Sequence, residues 1–389
     1  MNLKMIPTAR KATMRFLVLT VFLSVISFSL CLFSQSSLLF EGEIQCIENP
    51  TPTHIEKPEQ YVELEMVGKI AGDIDDEHFM AWPWQITANK QGDIYVFDLR
   101  LQQIFKFDKN NKFISVFGSA GQGPGEFSSR RRGLKEMYFG YDDSLYVSDT
   151  DNNKIIKFTA DGKYARDIKL PVPAKATGGF SPVIMPNGDF FIRTGLDCTL
   201  DAYNINDREM KKRYSLLSLK DFQRSVILKV RKQDYLGWMF SDPTVVYYDL
   251  IPGNRLMVYL ATTSTVFIFK EGRLEKKFDL WPKKVLDIYR KDIEMRAKKA
   301  RKNDLLISKM FLNFFPDKDN ENYFYLEGKT DGSDKKRFLY QFDLTGNLVK
   351  VLYAPVIARF LCKKNILVYA GDEDMIYIFK EKNNEKKAF

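Results

Sequence analysis

Between Gly92 and Phe113 the chain reads GDIYVFDLRLQQIFKFDKNNKF, and between Asp143 and Tyr164 it reads DSLYVSDTDNNKIIKFTADGKY. A constant offset of 51 residues lays Tyr95 on Tyr146, Asp98 on Asp149, Ile104 on Ile155 and Phe107 on Phe158. Self-similarity at such a period marks an architecture that repeats one supersecondary unit. Each copy reads as a short strand, a polar turn, a second strand, a turn rich in Asp, Asn or Gly, and a third strand. Alternating apolar positions within them fit half-buried antiparallel pairing. Weaker copies begin at Asn187, Gly253, Asn322 and Lys364, which makes six units of at least two strands each. The last unit lacks an outer strand, and YVELEMVGKI (Tyr61 to Ile70) ahead of the first can supply it. A ring closed by strands from both ends of the repeats removes exposed sheet edges. The expected fold is therefore all-β, a six-bladed β-propeller over residues 61–380 closed by an N-terminal strand.

Two interruptions carry helical spacing instead. Leu219, Phe222, Val226 and Val230 recur at helix period between the third and fourth units. Pro282 opens a basic stretch to Met310 with ten Lys or Arg against four Asp or Glu. It reads as a helical insert over about 282–309, packing Val285, Ile288 and Tyr289 on the propeller edge. A membrane surface or an anionic partner is its alternative role. Residues 381–389 form a charged tail.

Ahead of the repeats, Lys4, Arg10, Lys11 and Arg15 precede an apolar run from Phe16 to Phe33. Residues 1–36 read as a signal peptide, with small residues Ser34, Ser36 and Ser37 at a cleavage site, or as an uncleaved membrane anchor. Cys31 follows Leu30, where a lipoprotein signal would carry a small residue. A polar linker spans residues 37–60. An exported protein follows, periplasmic, cell-surface or secreted, touching membrane only through its N-terminal segment. Cys46, Cys198 and Cys362 are too scattered for a disulfide framework or a zinc site and read as buried single thiols. The net charge of +9 is spread over leader, insert and tail, so no nucleic-acid partner is expected.

The IYVFD and LYVSD strands, the DTDNNKI turn, the KF ending, DGK and FGSAGQGPGEF resemble NHL-repeat proteins, particularly exported bacterial six-bladed β-propellers. The resemblance is close over Trp84 to Leu170 and architectural beyond. It implies a ligand- or partner-binding module. The wider group also implies an alternative, a lactonase- or lyase-type enzyme using oxygen-ligated calcium in the channel. One departure stands out, because the glycine-rich loop runs into SSRRRGLKEM where those repeats carry proline.

Chemistry is sparse in the residues themselves. The two histidines, His54 and His78, both precede the first repeat, so a three-histidine metal site or a histidine-based triad has no base within the blades. DTDNNK opens like a calcium loop but carries Lys154 and Ala160 where Gly and Glu are required. Asp149 and Asn153 read better as satisfying backbone groups in a turn. FGSAGQGPGEF matches neither phosphate-binding register and reads as a joint between blades. No cofactor is expected, with calcium as the alternative.

Turns between second and third strands, with the connections between blades, should crowd one face around the channel. On them lie Arg100, Asp151, Asn152, Arg193, Asp197, Lys329, Asp334 and Asp372. Arg130, Arg131 and Arg132 sit in a connection and form the densest cluster. Arginine forks suit carboxylate, phosphate or acidic-sugar groups. The reading is a non-catalytic module that binds a peptide, glycan or partner protein at that face; solvated loop charge is the plainer account of each residue.

Overall fold

A strand packed on both faces must be apolar at nearly every position, and the second strand of each repeat meets that demand. The computed structural model describes residues 45–52, 61–129, 136–170, 183–185, 187–193, 199–204, 208, 210–215, 246–253, 255–261, 263–271, 273–288, 291, 311–317, 322–329, 337–354, 358–362, 366–370 and 375–382. Strands β1 (Gln45–Cys46) and β2 (Val62–Ile70) precede the repeats. Blade 1 runs β3 (Pro83–Ala88), β4 (Ile94–Asp98), β5 (Gln103–Phe107) and β6 (Phe113–Phe117). The connection after it carries β7 (Ser119–Ala120) and β8 (Glu126–Phe127). Blade 2 runs β9 (Met137–Phe139), β10 (Leu145–Asp149), β11 (Lys154–Phe158) and β12 (Tyr164–Lys169). Blade 3 runs β13 (Val183–Ile184), β14 (Asp189–Arg193), β15 (Thr199–Asn204) and β16 (Met210–Ser215). Blade 4 runs β17 (Val246–Ile251), β18 (Arg255–Leu260), β19 (Thr265–Lys270) and β20 (Arg273–Asp279). Blade 5 runs β21 (Phe311–Pro316), β22 (Tyr323–Lys329), β23 (Arg337–Asp343) and β24 (Leu348–Ala354). Blade 6 takes β25 (Ala358–Cys362), β26 (Ile366–Ala370) and β27 (Ile376–Glu381), with β2 as its outer strand.

The ring of six antiparallel blades and its closing strand are as expected, but each blade has four strands. In blades 2 and 3 the innermost strand was not separable in the sequence, because Met137–Phe139 and Val183–Ile184 are too short to show a period. Between the third and fourth strands the register slips once in every blade. At each slip the third strand carries a buried aromatic: Phe107, Phe158, Tyr203, Phe269, Phe342 and Phe379. A bulge there increases the local twist of the outer strand. The aromatic that ends the repeat motif is thus the residue around which each blade bends.

The blades meet through aromatic and aliphatic clusters. One joins Tyr138 and Tyr146 of blade 2 with Phe191 of blade 3 and Leu256 and Phe267 of blade 4. At two seams a glycine in the turn between third and fourth strands receives an aromatic from the preceding blade. A Cβ on Gly162 would lie 2.6 Å from the Phe117 ring, and one on Gly346 would lie 2.7 Å from Phe278. Both glycines have positive φ, +86° and +93°, so backbone and space demand the same residue.

The segment expected as linker holds a docked strap. Strand β1 adds parallel to β20 as a fifth, outermost strand of blade 4, with Gln45 opposite Phe278 and Cys46 opposite Asp279. Ile47 is buried against Phe278 at the Gly346 turn. Asn49 donates through Nδ2 to Leu280 O and Gly346 O, both at 2.7 Å, and accepts from Leu348 N at 2.8 Å. Trp281 Nε1 donates to Pro50 O at 2.8 Å. Apolar Ile47 and the bonding capacity of Asn49 override the polar look of the segment. Cys46, expected buried, is a free and exposed thiol. Slight burial, then Asp279 and Glu48, raise its pKa.

The basic insert is helical at residues 283–288 and 291, with Val285 and Leu286 buried as an amphipathic helix requires. Ile288, expected to pack on the edge, is 44% exposed. Tyr289, the rest of the insert, the helical pattern at Leu219 to Val230 and the leader lie outside the described residues, as does the tail beyond Lys382. Among the described residues, no helix is long and apolar enough to cross a membrane.

Candidate functional site

The repeated aspartate of the 51-residue motif sets the geometry of one face. Asp98 ends β4 and is fully buried. Its Oδ1 accepts from the amides of Arg100 and Leu101, both at 2.8 Å, within the turn between second and third strands. Its Oδ2 accepts from the amides of Ala81 and Trp82, at 2.6 and 2.7 Å, in the connection arriving from blade 6. One carboxylate therefore clamps turn to connection. Four amide bonds to a charged acceptor hold it more firmly than neutral contacts would.

Asp149 repeats the device in blade 2. Its Oδ2 accepts from Ser128 N at 2.7 Å, in the connection arriving from blade 1, and from Asn152 Nδ2 at 2.9 Å in its own turn. Turns and connections thus share a face, the one expected from the sequence to surround the channel, termed the mouth face. In blade 4, Leu260 occupies the register of Asp98, and the hydroxyl bonds there stay within the blade: Tyr259 bonds Ser264 at 3.1 Å and Thr265 bonds Asp279 at 2.6 Å.

The clamp in blade 1 leaves exposed chemistry around it. Trp82 is 42% exposed and stands edge-on to half-buried Trp84, ring centres 6.1 Å apart at 85°. Phe79 of the same connection is 52% exposed. Arg100 is exposed, and its guanidinium has no ion-pair partner among the described residues. Beneath the turn, Gln102 Nε2 donates to Leu99 O at 2.6 Å, which leaves buried Gln102 Oε1 without a donor. Upstream, the amide of Glu77 and then the His78 imidazole hold the Asp75 carboxyl below the usual range. His78 lies over Phe113, ring centres 4.8 Å apart.

Of the residues expected to bind a ligand, Arg100 is at the mouth and exposed. Asn152 is there too, but its amide is committed to Asp149 and to Gly121 O at 3.1 Å, so it holds the joint together. Asp151 is half-buried in the same turn. Arg193 falls in strand rather than turn, as the last residue of β14 opposite Leu200, and Lys329 likewise ends β22; both side chains lie outside the described atoms. Arg130, Arg131, Arg132, Asp197, Asp334 and Asp372 lie outside the described residues. Trp82 and Phe79 were missed. Their signal was the run HFMAWPWQ, apolar yet lying before the first strand of the repeat.

The glycine-rich stretch is a joint. Phe127 is buried edge-on to Phe97 at 5.1 Å and beside Phe158 at 6.0 Å, wedged between blades 1 and 2. Gly118, at φ +83°, passes so close that a Cβ would meet the Phe127 ring at 2.5 Å. Lys154 Nζ bonds Gly123 O at 2.8 Å, and Glu126 accepts from Gly123 N at 2.8 Å. On the opposite face, the Tyr141 hydroxyl of the blade 2 turn reaches Ile251 O and Arg255 O of blade 4, each at 2.9 Å. Burial first, then Asp249, raises the pKa of this phenol, so it stays a neutral donor. Among the described residues, no three His, Cys, Asp or Glu side chains group as metal ligands.

A family model described as a 6-bladed beta-propeller matches residues 76–179, the span of both aspartate clamps. A solved member of the DUF4221 family from Bacteroides vulgatus is similar at 11% identity and TM-score 0.51, over 83% of this chain and 98% of that one. A protein described as exported, from Bacteroides fragilis, gives 11% identity and TM-score 0.51 over 82% and 95%. Virginiamycin B lyase from Staphylococcus aureus overlaps at 11% identity and TM-score 0.46, over 82% and 100%, too loosely to bear on activity. No curated protein matches the sequence. The fold is an all-β propeller, six-bladed by family model and by blade order. The likeness to NHL repeats stays a resemblance of strand and turn motifs.

Proposed function

We propose that this chain is an exported, non-catalytic β-propeller that binds a ligand at the mouth arc of blades 1 and 2. The observation that carries this reading is the Asp98 clamp, which fixes the backbone of Trp82 and Arg100 on one carboxylate while both side chains stay exposed. An exposed indole offers stacking area, and an exposed guanidinium offers a fork for a carboxylate. Such a pair suits an acidic glycan or an acidic peptide. Holding it on a buried charge lowers the ordering cost of binding.

Thermal-shift titration of the full chain with an oligogalacturonate, a neutral gluco-oligosaccharide and an acidic peptide tests this. A ligand binding only the native state stabilises it by about 2.7 kcal/mol at a hundredfold excess over Kd and so raises the melting temperature. The acidic glycan or the acidic peptide should do so for the wild type and fail for Trp82→Ala and Arg100→Ala, whose unliganded melting temperatures should stay near wild type. Binding that survives both substitutions would refute the site, and so would the absence of any shift with all three probes.

A further inference from the structure

The strap and the mouth clamp stand at opposite poles of the ring. Six blades in order place blade 4 across from blade 1 and blade 5 across from blade 2. Asn49 bridges the seam of blades 4 and 5, while the Asp98 and Asp149 clamps serve blades 1 and 2. The chain therefore reaches the body at the rim farthest from the mouth arc. Eleven residues separate Phe33, the last of the apolar run, from Gln45. Fully extended they span about 40 Å, so the rim stays close to whatever holds that run.

The same rim carries Lys283, Lys284 and Lys291 beside Glu48 and Asp287, an excess of positive charge among the described residues. Lys283 and Lys284 are exposed on the helical start of the insert, and Ile288 and Lys291 are exposed after them. The strap touches this helix through a Lys284–Glu48 ion pair at 3.3 Å, and the segment just before it through the Trp281 bond to Pro50 O. An apolar anchor and a basic patch on one rim are complementary to one surface, a bilayer bearing anionic headgroups.

We infer that the blade 4–5 rim docks on an anionic bilayer that holds residues 16–33, so that the mouth arc of blades 1 and 2 points away from it. Residues 45–52 are the rigid coupling. The inference rests on an anchored rather than a cleaved leader and is independent of which ligand the mouth takes.

The test is hydrogen exchange on the full chain in nanodiscs of phosphatidylcholine alone or mixed with phosphatidylglycerol. In mixed discs, peptides over 45–52 and 283–291 should slow relative to detergent, and peptides over 79–102 should not. The double substitution Lys283→Ala and Lys284→Ala should reduce that protection by roughly fivefold per lysine. Asn49→Ala should leave the chain disc-bound yet lose protection at 283–291. Slowing at the mouth peptides, equal slowing in both lipids, no slowing, or an Asn49→Ala protein with unchanged protection would each overturn the inference. So would an intact mass of the exported protein showing the leader removed.

Discussion

The entrances to blades 1 and 2 and the seam of blades 4 and 5 solve one problem with different chemistry. Both must hold a passing segment against a turn. In the first, buried aspartates take amides from their own turn and from a connection 16 to 21 residues away. In the second, one buried asparagine bonds groups 231 to 299 residues away. The aspartate clamp sits at the end of an inner strand, and the rest of the blade is built outward from it. The asparagine clamp sits on the rim, outside the outermost strands of the blades it joins. A charge that only accepts suits a site offering only amides. A group that both donates and accepts is required where two carbonyls and one amide converge.

Asp98→Ala should have the largest effect, because it strips a shared acceptor from four amides at the entrance to blade 1. A loss of roughly 3 kcal/mol or more is expected, read from the urea midpoint at unchanged m-value. Asp149→Ala should also destabilise, because it strips the Ser128 amide and the Asn152 side-chain amide of a shared buried acceptor.

Asn49→Ala removes three bonds at the opposite pole and should cost about 2 kcal/mol. Asn49→Asp should be worse, because it presents a carboxylate to the carbonyls of Leu280 and Gly346. Native-state hydrogen exchange sharpens the contrast: strap amides should open locally in Asn49→Ala while the second strands keep their protection. Global unfolding of that variant would mean the strap belongs to the core. The smallest difference expected is between Gly162→Ala and Gly346→Ala. Each forces a methyl against a ring at positive φ and should cost about 2 kcal/mol, nearly the same at both seams. A much milder loss at Gly346 would show that the strap seam gives way where the mouth seam cannot.

Much of this was legible in the residues. The blade count followed from strand alternation and turn residues, and the buried aromatic at the bulge was visible as the KF ending of the motif in blades 1 and 2. The closing strand could be placed because the last unit was short of one. The clamp was half legible: Asp98 and Asp149 recurred in register, and a turn role followed for Asp149 from its chemistry. Their second task, binding the incoming connection, did not follow, because no local pattern points from Asp98 to Trp82.

Position in sequence could not tell Arg100 from Asn152. Tertiary contact leaves the one exposed and commits the other to Asp149 and Gly121 O. Blade number, strand alternation and the glycine-rich joint are local properties, set by side-chain period and backbone freedom over a few residues, and the sequence alone determines them. The strap, the exposed Trp82–Arg100 pair and their placement at opposite poles arise only when distant segments meet. The free energy of those contacts lies in hydrogen bonds and buried area that exist only in the closed ring.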